Sequence, residues 1–181
     1  MARKCGPQPL EMNVATSSGP TIRRGKSEQV VATPWEFIRA VEARFGDISW
    51  DLAASLDNSK AHYAGLFLSE ETDSLKSEWH KLAPAIQGQR NLLWLNPPFG
   101  NITPWVTKCA VEKEQGAEIL LLVPRSGANW YWNWVEPYAD VDDVGRMKFE
   151  GHTDPYPKDL ILAHYHKGSP SRKEQRWRWQ Q

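Results

Sequence analysis

Nine residues, Leu92-Leu93-Trp94-Leu95-Asn96-Pro97-Pro98-Phe99-Gly100, limit what this chain can fold into more than any others do. Four apolar residues suffice for a buried strand. Two consecutive prolines then end it, because proline cannot donate a ladder hydrogen bond. Each proline also biases the residue before it towards an extended backbone. The product is a stiff corner at the carboxyl end of a strand, the edge on which open α/β sheets bind ligands. The Asn96 amide oxygen and the Pro97 carbonyl both accept hydrogen bonds, and an exocyclic NH2 has two hydrogens to give. Phe99 adds a flat face on which a base can stack. The corner therefore suits an amino-bearing heterocycle; the plainer alternative is a Pro-Pro turn with Phe99 buried in the core.

The flanking segments predict a sheet around that strand. Thr103-Pro104 opens a helical pattern through Trp105, Val106, Cys109, Ala110 and Val111, which Gly116 closes. Ala117–Pro124 is apolar almost throughout, as a parallel strand covered on both faces should be. Strand, helix and strand with short links predict a right-handed crossover and a parallel sheet. Arg125 ends the second strand on the same side as Asn96, positioned to meet a phosphate or simply to be a surface arginine. Upstream, Thr33 as N-cap and Pro34 as first helical residue start a helix carrying Phe37, Ile38, Val41 and Phe45, ended by Gly46. Ile48–Ala54 then reads as a short strand. Asp51 at its end can reach an ammonium or a hydroxyl, and Ala53 lets a ligand approach the backbone. Asp51 could equally cap a helix. Arg146–Gly151 and Asp159–Tyr165 predict a final strand pair joined by the turn-rich His152–Lys158. Trp130, Trp132 and Trp134 suit core packing; base stacking and a carbohydrate platform are the alternatives.

At the corner the chain resembles a known family. Asn96-Pro97-Pro98-Phe99 is similar to the Asp/Asn-Pro-Pro-Tyr/Phe motif of amino-group methyltransferases, which act on adenine N6 or cytosine N4 with S-adenosylmethionine. Thr33-Pro34-Trp35-Glu36-Phe37, Phe45-Gly46, Asp51-Leu52-Ala53-Ala54, Asp73-Ser74-Leu75 with Trp79, and Trp105 occur in the order found in compact phage-type DNA N6-adenine methyltransferases. The resemblance runs from about Thr33 to about Tyr165. It implies a doubly wound, mostly parallel α/β sheet of the class I, Rossmann-like kind, with S-adenosylmethionine as cofactor and double-stranded DNA as partner. It implies Asn96, Pro97, Pro98 and Phe99 as the catalytic corner. It puts Thr33 and Pro34 near the cofactor's methionine end, Asp51 and Ala53 in the cofactor loop, and Asp73 near the adenosine. Asp73 as a plain helix cap is the alternative. Phe149 would close the target-base pocket. Gly-x-Gly-x-x-Gly is absent, a departure from methyltransferases at large but not from the compact family, whose Asp-x-Ala-Ala pattern the chain shares; His62 stands where the family carries cysteine. His62 is expected to be a surface or packing residue.

Composition sets the remaining bounds. A chain of 181 residues is one domain's worth. The expected division is a flexible arm over 1–30, a methyltransferase domain over 31–166 and a basic tail over 167–181. No apolar run is long enough for a membrane span, and the N-terminus lacks an apolar signal core. Cys5 and Cys109 fit neither a disulfide framework nor a zinc site, so no metal and a cytoplasmic setting, the host's if phage-encoded, are expected. Formal net charge is zero, but it is unevenly spread. Residues 1–26 hold Arg3, Lys4, Arg23, Arg24 and Lys26 against Glu11; residues 167–181 hold Lys167, Arg172, Lys173, Arg176 and Arg178 against Glu174. Each end is thus +4 and the centre is −8. Arg176-Trp177-Arg178-Trp179 could pair phosphate contacts with base stacking; a solvated tail is the alternative. Cytosine N4 methylation and a non-catalytic nucleic-acid-binding protein are the competing functions. A carbohydrate-binding module is disfavoured by the parallel-sheet pattern.

Overall fold

The computed structural model describes residues 32–180. The expected arm over 1–30 lies outside the described residues, as does Cys5. The central strand is β2 (Leu92–Leu95), buried at every position as its unbroken apolar run requires. It runs parallel to β1 (Ile48–Asp51) on one side and to β3 (Glu118–Pro124) on the other. Beyond β3 lie β5 (Leu160–Tyr165), β4 (Asp140–Gly145) and β6 (Gln175–Arg176), in that order across one six-stranded sheet. The β3–β5 and β5–β4 pairings are antiparallel and β4–β6 is parallel, so the sheet is mixed.

The strand pleat sorts the core onto two faces. Leu93, Leu95, Ile119, Leu121 and Val123 face one side, under α2 (Thr103–Glu114) and α3 (Asn129–Trp134). Leu92, Trp94, Leu120 and Leu122 face the other, under α1 (Trp35–Phe45), whose Phe37, Ile38 and Val41 are buried at helical spacing. Gly46 ends α1 at φ +100°, a conformation open to glycine, and Gly116 follows α2 at the same angle. Cys109 is buried on α2, and burial pushes its thiol well above the usual range.

Four expectations need correction. Pro34, not Thr33, is the N-cap of α1: its ψ of 139° is extended, and its carbonyl accepts from the N–H groups of Phe37 and Ile38. Thr33 turns its side chain inwards instead. Likewise Ile102 precedes α2, and Thr103 is its first residue. The strand expected at 146–151 is displaced to Asp140–Gly145. Gly145, at φ +69°, turns the chain out of the sheet, and Met147 and Phe149 then pack into the α1 face. Finally, residues 167–180 fold back onto the body. Gln175 and Arg176 pair with Asp142 and Asp143, and Trp177 and Trp179 pack on Phe37 with ring centroids 5.7 and 5.0 Å away.

Candidate active site

Asn96 leaves β2 at the carboxyl edge, where the parallel neighbours β1 and β3 also end. Its Nδ2 donates to Thr33 Oγ1 at 3.2 Å. Thr33 is buried immediately before α1, so the helix start fixes the rotation of the amide. Pro97 is buried behind Asn96 and Pro98 is half-buried. Phe99 meets Phe149 and Tyr156 edge to face, with centroids at 6.1 and 5.3 Å, and those two rings lie 6.0 Å apart. The expected partners Asn96, Phe99, Thr33 and Phe149 are thus brought together. Tyr156 is an addition that sequence reasoning missed. It lies in the turn-rich stretch 152–158, and its N–H donates to the Met147 carbonyl across the loop, a long-range contact with no local signal.

Asp51 closes β1 opposite Trp94, two residues before Asn96. It does not cap a helix. Its Oδ1 accepts from the Ala53 N–H at 3.2 Å and its Oδ2 from the Lys60 N–H at 2.8 Å, holding the following loop in place. Burial pushes its carboxyl up to about 6; the Lys60 and Ala53 N–H groups and the Lys60 charge pull the other way. Ala53, a small residue in that loop, is half-buried. Lys60 is itself buried. Its Nζ donates to both Glu150 oxygens at 3.2 and 3.1 Å and sits 4.4 Å from the Trp35 ring centroid. The Glu150 N–H donates to the Ala32 carbonyl. The loop bearing Phe149 is thereby tied to α1 and to the end of β1.

The other candidates have partners outside this cluster or are exposed. Asp73 adopts φ +47° in a turn and pairs with Lys76 at 2.6 Å, so it caps no helix. Arg125 sits past β3 on the expected edge, paired with Asp143 at 3.3 Å and with Glu174. Arg176 pairs with Asp143 at 2.8 Å, while Arg178 is exposed. His62 is at the surface against Glu42, at 3.2 Å. A groove of about 950 Å³ lies between α3 and residues 170–174. Several of its polar groups satisfy one another: Arg125 and the Tyr131 hydroxyl meet Glu174, and Arg172 meets Asp142. Pairing of that kind leaves those groups little to offer a ligand.

Fold and corner first define a class, an α/β protein that sets an asparagine beside an aromatic cluster at the carboxyl edge of its sheet. Within that class, the family model for DNA N-6-adenine-methyltransferase (Dam) matches residues 23–159, and the chain belongs to this family. A curated relative, the DNA N-6-adenine-methyltransferase of Escherichia phage T1, is 32% identical over 111 residues. That stretch is 61% of this chain and 42% of the relative, so the chain spans less than half of the relative's length.

Proposed function

We propose that the chain transfers a methyl group from S-adenosylmethionine to the exocyclic N6 of adenine in DNA. The observation that carries the reading is the Asn96 amide, held by Thr33 at the carboxyl end of β2 beside Phe99. Family membership favours adenine over cytosine, since the corner accepts from either amino group. The sheet supports a doubly wound, class I methyltransferase reading, with parallel β1 to β3, α1 on one face and α2 and α3 on the other.

The residues suit the cofactor. Asp51, ionised above about pH 6, offers a carboxylate for an ammonium, and Ala53 leaves room for close approach. Thr33 and Pro34 border the same edge. The cofactor, when bound, supplies an activated methyl group on a sulfonium. The protein's task is then to prepare the nitrogen. An aryl amine is a poor nucleophile because its lone pair is delocalised into the ring. Accepting its two hydrogens at Asn96 Oδ1 and the Pro97 carbonyl favours a pyramidal nitrogen and localises that pair. A strong base is not required before attack, since the proton can leave afterwards. Rate enhancement comes from positioning and electrostatics. The target base must leave the duplex to reach the corner. Stacking on Phe99 would contribute about 1–3 kcal/mol, and Phe149 and Tyr156 would wall the same pocket.

Nucleoside mass spectrometry tests this on DNA from cells without adenine methylation of their own, expressing either the parent or Asn96→Ala. N6-methyladenine is expected with the parent, and Asn96→Ala should lower turnover by about 10²–10³-fold while retaining the cofactor. N4-methylcytosine would keep the corner and change the base. Neither mark, from folded protein, would overturn the enzymatic reading in favour of a nucleic-acid-binding protein.

A further inference from the structure

Most described cations are neutralised within the fold. Arg44, Lys60, Lys108, Arg125, Arg172 and Arg176, for example, all meet carboxylates. Six do not meet one among the described residues: Lys158, Lys167, Lys173, Arg178, and the pair Arg39 and Lys148, both exposed, with no hydrogen bond or ion pair from their side chains to a described residue. Arg39 and Lys148 line one groove of about 550 Å³ between the first turns of α1 and residues 147–152. Glu36 and Glu150 also border it, but Lys60 neutralises Glu150. What sets the groove apart is that two such cations face one uncompensated carboxylate, Glu36, in a single concavity, on a body whose central residues sum to −8.

The groove's position matters as much as its charge. Lys148 follows β4, which runs antiparallel to β5 and hence in the direction of β3, so it emerges at the same sheet edge as Asn96. Pro34 and Phe149 line the groove; Pro34 follows Thr33, which holds Asn96, and Phe149 meets Phe99. Trp35, 43% exposed, adds an aromatic face.

We infer that this groove carries the phosphate backbone of the DNA strand leading into the Asn96 corner, with Arg39 and Lys148 each against a phosphate. This rests on the proposed function, because it supposes that DNA approaches that corner. Surface cations that neutralise phosphates release condensed counterions, so each contact steepens the salt dependence of binding.

The test is the slope of log affinity against log salt for a DNA duplex, measured with S-adenosylhomocysteine present. The parent is compared with Arg39→Ala/Lys148→Ala and with Lys167→Ala/Lys173→Ala. The latter pair lies past the end of β5 and before the start of β6, at the opposite sheet edge. Removing two phosphate contacts should flatten the slope by roughly 2, at about 0.9 per contact on duplex DNA, with cofactor affinity unchanged. The opposite-edge pair should leave the slope as it was. An unchanged slope in Arg39→Ala/Lys148→Ala overturns the assignment, as does equal flattening by both pairs. A parent that binds DNA through the groove yet methylates nothing would sink the proposed reaction and keep the groove. An active parent with an unaltered slope would do the reverse, and a parent that binds no DNA overturns both.

Discussion

Asp51 is a buried carboxylate whose two oxygens each receive a backbone N–H, and its surface is 3% exposed. Those bonds favour its charged form, but desolvation outweighs them and pushes its carboxyl up to about 6 from an ordinary 3.8. The folded chain therefore holds this proton more tightly than the unfolded chain does. Protonated Asp51 stabilises the fold fully below about pH 4, and that contribution is lost as the pH rises through 6. A shift of about two units corresponds to roughly 3 kcal/mol. Asp51→Asn cannot titrate, so its unfolding free energy relative to the parent should improve by up to roughly 3 kcal/mol from pH 4 to pH 7. Urea unfolding at several pH values measures that difference. Any fixed cost of turning an amide NH2 towards one of the N–H donors is the same at each pH and cancels. A difference that does not change with pH would mean that Asp51 titrates normally. The sequence marked this residue for its place at a strand end. It could not show that the carboxylate organises its own loop through Lys60, because that depends on the loop's return path.

At the scale of elements, legibility followed apolar pattern. β2 and β3 announced themselves as unbroken apolar runs, and α1 through the spacing of Phe37, Ile38 and Val41. β4 did not. Asp140-Val141-Asp142-Asp143-Val144 carries three aspartates, a residue depleted from strands. What makes a strand possible there is a set of cations from distant segments. Asp142, fully buried, meets Arg44 at 3.1 Å and Arg172 at 2.8 Å and accepts from Gln175 Nε2 at 3.0 Å. Asp140 accepts from Ser171 and Arg172 N–H groups and faces His166. The same pairs explain why residues 167–180, read as a basic tail, complete the sheet: their positive charge answers the aspartates of β4. Asp142→Ala should therefore cost roughly 3 kcal/mol, the low end for breaking a buried pair, because Arg44 and Arg172 keep 29% and 28% of their side-chain surface in water. It should also expose the chain near Arg172 and Arg176 to trypsin. Unaltered urea stability together with unaltered proteolysis would show that β6 is held by Trp177 and Trp179 alone.

Across the whole molecule, the proposed cofactor and base sides converge on one buried lysine. Lys60 gives its backbone N–H to Asp51 and its ammonium to Glu150, next to Phe149, with Trp35 of α1 packed on the charge. These two attachments can be separated. Lys60→Met keeps the backbone bond and the stem but loses the ammonium, so the loop after β1 should stay formed. Glu150 is 38% exposed and can be solvated on its own, so little stability should be lost. The loop bearing Phe149 would lose its anchor to α1. If the proposed reaction is correct, KM for DNA should rise about 10-fold or more through misplacement of the pocket wall, while affinity for S-adenosylhomocysteine stays near the parent's. Lys60→Arg, which can still reach Glu150 and stack on Trp35, should recover most of the loss. A parallel fall in cofactor affinity would place Lys60 on the cofactor side instead, and an unmoved KM would make the Glu150 contact structural only.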